Sequence, residues 1–174
     1  MTKKHFTTRE LCYIALFAAV IAISAWIAIP AAISFTLQTF AVFCAVGLLG
    51  TKCAVAATVT YILIGAFGVP VFSGFVGGVG IFATVSGGFI LGFVPAVLVC
   101  GACINRLGKK LLPIVFSMLL GLAVCYAFGA LWFCILNGAS FGAAISACVL
   151  PFLPFDIIKI VLAAITVRKF KLWK

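Results

Sequence analysis

Long stretches of this chain carry no charge. From Leu11 to Val167 the acidic and basic side chains are confined to Lys52, Arg106, Lys109, Lys110, Asp156 and Lys159. An ordinary soluble domain is about half apolar and about a quarter charged, whereas these 174 residues are 67% apolar and 8% charged. A water-soluble globule has no polar surface to cover such a composition, so lipid is the solvent the sequence is written for.

A bilayer core of about 30 Å needs roughly 17 to 25 apolar residues per helix. Cutting wherever charges, prolines or glycine clusters interrupt gives spans at about 11–29, 33–49, 53–67, 81–104, 111–136 and 147–167. No polar or low-complexity linker divides them, so residues 1–174 read as a single membrane domain, an all-α bundle of six transmembrane helices. With six spans, Lys3, Lys4 and Arg9, then Lys52, then Arg106, Lys109 and Lys110, then Arg168, Lys169, Lys171 and Lys174 all fall on one side. Basic residues mark the cytoplasmic side, which puts both termini in the cytoplasm of a multi-pass cell-membrane protein. The connections Pro30 to Ser34, Gly68 to Gly80 and Asn137 to Ser146 contain no Lys or Arg and face outward. The run from Leu11 is longer than a leader core and leads straight into more apolar chain, so it is expected to stay as the first span.

Other readings of the composition fail. A net charge of +10 suits a nucleic-acid partner only when it lines one face; here it sits in tails and loops, where topology accounts for it. The eight cysteines are scattered through apolar segments and behave there as small hydrophobes, with neither a disulfide framework nor a metal site expected. Cys100 and Cys103 form a C-x-x-C without a second pair, and His5 lies in the tail. An intramembrane enzyme wants a Ser/His, paired-Asp or metal-ligand set within the spans. With Asp156 as the internal carboxylate and no internal histidine, no such set assembles. No nucleotide motif follows the clusters Gly74, Gly77, Gly78, Gly80 and Gly87-Gly88, so helix packing and loop bending are their expected uses. Catalytic residues and cofactors are expected to be absent.

The candidates for chemistry are few. In Leu150 to Lys159 (L-P-F-L-P-F-D-I-I-K), Asp156 and Lys159 share a helix face one turn apart. Ionisable groups at membrane depth are expensive and mark function by default. A plainer reading stands beside this one: Asp156 favours a first-turn dipole and Lys159 pairs with it. A cavity lined by the pair would suit a ligand with N–H donors and an anion. From the same outer side Thr36 and Gln38 offer a hydroxyl and an amide, while Ser34 reads as a helix cap. The Gly-rich stretch after the third span is expected to fold over the cavity. Ala15 and Ala19, with Ala18 and Ala22, form small-x-x-x-small steps that serve either internal packing or a partner helix. Tyr13, Trp26 and Trp173 read as interfacial anchors, while Tyr61, Tyr126 and Trp132 lie deeper, where any could flatten against a ring.

Four blocks in order, Phe35 to Phe40 (F-T-L-Q-T-F), Gly65 to Gly78 (G-A-F-G-V-P-V-F-S-G-F-V-G-G), Ser86 to Phe93 (S-G-G-F-I-L-G-F) and Leu150 to Lys159, make the chain resemble the BioY family over nearly its whole length. These are the biotin-specific S components of energy-coupling-factor (ECF) transporters. Where the family commonly shows G-P-T-G-G this chain has Thr84-Val85-Ser86-Gly87-Gly88, which keeps a hydroxyl at Ser86. The resemblance implies a six-helix bundle with a biotin site near its outer face, closed by loops. It implies as partners an EcfT-type transmembrane coupling subunit and cytoplasmic ATPases. On the matching positions Asp156 would hold the ureido N–H groups and Lys159 would contribute at the valerate carboxylate. Phe72 and Ser73 would line the site, and the Ala15-x-x-x-Ala19 step would meet the coupling subunit. An S component for another small vitamin keeps this architecture and changes only the ligand.

Overall fold

The computed structural model describes residues 6–29 and 35–170. The expected connection Pro30 to Ser34 with its Ser34 cap, the tail basic residues Lys3, Lys4, Lys171 and Lys174, and Trp173 lie outside them. Helix α1 (Thr8–Trp26) leads into a short hairpin of β1 (Ala28–Ile29) and β2 (Phe35–Thr36). Then come α2 (Gln38–Leu49), α3 (Thr51–Ala66), a 3-10 turn (Val79–Ala83), α4 (Val85–Leu107), α5 (Leu111–Asn137), α6 (Phe141–Cys148) and α7 (Leu153–Lys169).

Local chemistry sets the boundaries. Thr7 and Glu10 form a capping box: Thr7 Oγ1 accepts from Glu10 N at 3.3 Å, and Glu10 Oε2 accepts from Thr7 N at 2.7 Å, so α1 starts just ahead of its apolar run. Gly50 at φ +79° turns α2 into α3 without a loop. Helices α4 and α5 pack along their lengths on small residues. A Cβ at Gly121 would come within 2.9 Å of the Ala96 carbonyl oxygen, and Gly129 and Gly88 admit the rings of Phe89 and Trp132. The cysteines Cys44, Cys53, Cys100, Cys125 and Cys148 are buried as free thiols in this packing.

Three expected segments differ. The second span was expected from residue 33, but Phe35 and Thr36 pair with Ile29 and Ala28 across the hairpin, and α2 begins only at Gln38. Leu37 N–H donates to the Ser24 and Ile27 carbonyls at 3.2 and 3.1 Å, so the α1 terminus takes over the backbone partner that a helical turn would have used. The fourth span, expected from Ile81, starts at Val85, because Thr84 sits in an extended conformation after the 3-10 turn. The sixth, expected as one helix over 147–167, is α6 and α7 meeting at 59°. Pro151 and Pro154 supply no N–H to carry a helical ladder through this stretch, and Pro154 instead fits the first turn of α7. The stretch Asn137 to Ser146, expected as a connection, is partly helix: Ser140 caps α6 by accepting from Ala143 N at 3.4 Å.

Among the described residues, α1, α4 and α5 (19, 23 and 27 residues) are long and apolar enough to cross a bilayer, with the bent α6–α7 pair a fourth candidate. Helices α2 and α3, at 12 and 16 residues, fall short of the usual 17 or so. Lys159 apart, the described basic residues gather at one end of the bundle. The Lys52 ammonium lies 4.1 Å from the Phe6 ring centroid, Asn105 Nδ2 donates to Thr51 Oγ1 at 3.4 Å, and Gly47 abuts Val167. At the other end the hairpin, the 67–84 loop and the starts of α2, α4 and α7 converge.

A buried ion pair in a lidded cavity

Asp156 lies in the first turn of α7 and is 3% exposed. Among the described residues no backbone N–H donates to its carboxylate. Oδ1 accepts from Lys159 Nζ and from Thr39 Oγ1, each at 2.8 Å, and Oδ2 accepts from Tyr126 OH at 2.6 Å. Lys159 donates also to the Thr36 carbonyl oxygen at 2.7 Å. The pair expected from the i, i+3 spacing therefore forms, and donors from α2 and α5 complete it. The hairpin matters here: by leaving the helix, Thr36 exposes a carbonyl that the ammonium takes.

Around the pair lies a cavity of about 730 Å³, its open mouth included. Thr36, Gln38, Phe72, Ser73, Ser86, Asp156 and Lys159 all line it. Gln38 is held by Thr36 Oγ1, which donates to its Oε1 at 3.0 Å, and by Tyr61 OH, which accepts from Nε2 at 2.7 Å. One amide N–H remains for an occupant. Phe35, stacked on Phe152 at 4.1 Å, braces the start of α7. Phe89 meets Tyr126 edge-on at a centroid distance of 6.4 Å.

The lid is the 67–84 loop. Gly78 N–H donates to the Gly65 carbonyl at 2.7 Å, closing the loop onto α3, and its φ of +96° suits only glycine. Gly77 lies against backbone: a Cβ there would come within 2.5 Å of the Val69 carbonyl oxygen. Phe72 is wholly buried with its ring edge-on to Tyr61, anchoring the inner side, and Ser73 follows it into the cavity. Trp26 holds the outer side, donating from Nε1 to the Pro70 carbonyl at 3.0 Å and stacking on Phe75 at 5.2 Å. Among the described residues, Ser73 Oγ is the buried side-chain oxygen with no hydrogen-bond partner, and buried hydroxyls are rarely left so.

Thr39, Tyr126 and Phe89 also line the cavity and were not singled out for the site from sequence. Tyr126 stood among aromatics of undecided role; Thr39 belongs to the F-T-L-Q-T-F block, but nothing local tells that it meets a carboxylate 117 positions away. Tyr61 and Trp132 serve as supports, Trp132 by donating to the Phe82 carbonyl at 3.0 Å. The two alanine ladders of α1 part company: Ala18 and Ala22 are buried in the bundle, whereas Ala15 and Ala19 are exposed.

Comparison with known proteins fits this geometry. A family model described as the BioY family matches residues 1–174. A biotin transporter BioY of Thermotoga maritima is 36% identical over 166 residues, covering 94% of this chain and 96% of the relative. A biotin transporter BioY of Rhodobacter capsulatus is 31% identical over 174 residues, covering 92% of each. A crystal structure of the S-component for biotin from an ECF-type ABC transporter superposes with a TM-score of 0.89, over 98% of this chain and 96% of that one, at 24% identity. That likeness establishes the fold.

Proposed function

The chain belongs to the BioY family, and from that premise we propose that it is the biotin-capturing S component of an ECF importer in the cell membrane. It binds biotin from the outer side and delivers it inward together with an EcfT-type coupling subunit and ATPases. The observation that carries this reading is the Asp156–Lys159 pair set in a lidded, partly aromatic cavity at the end of the bundle away from the other described basic residues.

Biotin offers two ureido N–H donors, a ureido carbonyl, an apolar thioether ring and an acidic tail. A carboxylate has about four lone-pair positions, and Asp156 uses three, so Oδ2 can accept a ureido N–H beside Tyr126. The free N–H of Gln38 suits the ureido carbonyl, and Phe72 and Phe89 suit the thioether ring. An analogue without the donors would strand these groups at about 1 to 3 kcal/mol each, which gives an apolar cavity its selectivity.

The topology we read has six crossings: α1 to α5, the short α2 and α3 extended by the hairpin and the lid loop, then α6–α7 as one bent span. Gathering of the basic residues at one end supports cytoplasmic termini. Ala15 and Ala19, left bare on α1, suit close approach by a helix of the coupling subunit. Titration of biotin onto purified protein tests the reading. Saturable binding is expected; none at micromolar ligand would overturn it, and tighter binding of another vitamin in a competition panel would reassign the ligand.

A further inference from the structure

A second hollow opens at the opposite, basic end of the bundle. It measures about 420 Å³ with its open mouth, and Gly50 and Thr51 of the α2–α3 turn, Asn105 of α4 and Lys109 of the α4–α5 connection all line it. A Cβ added at Gly50 would meet no atom within 4 Å, so one wall of the hollow is bare backbone.

Its polar side chains hold donors in excess. Asn105 Nδ2 gives one N–H to Thr51 Oγ1 at 3.4 Å and keeps a second, the Thr51 hydroxyl keeps its own proton, and Lys109 carries three N–H groups. Among the described residues Lys109 has neither a hydrogen bond nor an ion pair. The chain has no carboxylate side chain to spare for it, because Glu10 and Asp156 are its two acidic residues. Asp156 is paired with Lys159 at the other end. Glu10 accepts from Thr7 N at 2.7 Å and from the Cys53 thiol at 3.9 Å. The neighbours in sequence only add charge of the same sign: Arg106 lies in the last turn of α4 and Lys110 caps α5.

A counter-ion must therefore come from outside the chain. Phosphate offers negative charge and acceptor oxygens together, which is what a lysine, an amide and a hydroxyl are equipped to hold. Basic pockets between membrane helices on the cytoplasmic side take anionic headgroups by this chemistry. From the unneutralised lysine and the surplus of donors around an open hollow, we infer that this second site binds a phosphate group. Two sources carry that group at a membrane surface, an anionic lipid headgroup and a free phosphate ion, and the experiment separates them. The inference takes from the topology above only the leaflet that the hollow faces, and it is independent of the biotin site.

The purified full chain in a neutral detergent is titrated with short-chain phosphatidylglycerol, short-chain phosphatidylcholine and inorganic phosphate, at a salt concentration that screens exposed charges. Bound lipid is counted by native mass spectrometry, and phosphate binding is read by calorimetry. Phosphatidylglycerol is expected to bind saturably and about tenfold more tightly than phosphatidylcholine, whose own ammonium offsets its phosphate. Lys109→Gln is expected to weaken it about tenfold, the step for one hydrogen bond to a charged group. Lys169→Gln removes the same charge from the same end but outside the hollow, and is expected to change binding by less than about threefold. Biotin affinity should stay native in both variants, which reports that they fold. Lipid binding that inorganic phosphate leaves unaffected supports the site with a headgroup as its source. Inorganic phosphate that binds with the same dependence on Lys109 supports it with the free ion as its source. No saturable binding of either probe would overturn the inference. Equal losses in the two variants would overturn it as well, by reducing the effect to the net charge of that end.

Discussion

Asp156→Asn separates charge from shape at the site. In the native chain three donors converge on the carboxylate, at 2.8 Å from Lys159 and Thr39 and at 2.6 Å from Tyr126. An asparagine keeps one acceptor oxygen and turns an NH₂ toward the other donors. If its oxygen faces Lys159, its NH₂ opposes the Tyr126 hydroxyl and whatever N–H the ligand brings; if it is flipped, the ammonium faces an NH₂. The ligand then loses a hydrogen bond to a charged acceptor, about 1.5 to 3 kcal/mol. At 1.4 kcal/mol per decade that is about a 10- to 150-fold fall in biotin affinity. Fold stability falls as well, by no more than the roughly 3 to 5 kcal/mol typical of a broken buried pair. Calorimetric titration reads the first effect, and thermal unfolding in the same detergent reads the second. A double variant, Asp156→Leu with Lys159→Met, discriminates further: replacing both charges by apolar side chains removes the stranded ion, so part of the lost stability should return while binding stays lost. Biotin affinity within about threefold of native in Asp156→Asn would refute the assignment. So would a double variant that regains affinity along with stability.

Further outcomes are expected at three other places. Tyr126→Phe removes the donor at 2.6 Å from Asp156 Oδ2 and should weaken biotin binding about tenfold by calorimetry, unchanged affinity arguing that the hydroxyl only packs. Gly77→Ala forces a Cβ against the Val69 and Gly68 carbonyls; the displaced lid should raise the biotin dissociation rate about tenfold in a chase experiment, with native kinetics showing that the loop does not close the site. Ala15→Leu and Ala19→Leu add bulk to an exposed face of α1. They should leave biotin affinity native while reducing co-purification with the coupling subunit, and full recovery of the complex would remove that face from the interface.

Much of the site could be read from residue types because expense at membrane depth makes polar side chains informative. Asp156, Lys159 and Gln38 stand out in apolar sequence for that reason, and the i, i+3 spacing alone places the first two together. Thr39 and Tyr126 could not be read in this way. A threonine can satisfy its hydroxyl on its own helix, as Thr58 does on the Ala54 carbonyl at 2.8 Å, and a tyrosine is equally at home at an interface. Their role exists only because α2 and α5 deliver them to α7.

Hydropathy and charge order are properties of the linear chain, so the sequence by itself determined the solvent, the helical class and the grouping of basic residues between spans. Where a helix stops is a competition between its own next hydrogen bond and one offered from elsewhere, and that contest is tertiary. Leu37 N–H bonding back to α1, the hairpin that frees the Thr36 carbonyl for Lys159, and the bend that aims α7 into the cavity were all decided there. So was the second partner of the lysine. Sequence places an ammonium beside a carboxylate, but only the folded chain brings up a second acceptor 123 positions away, because no local pattern tells which distant carbonyl will lie within reach.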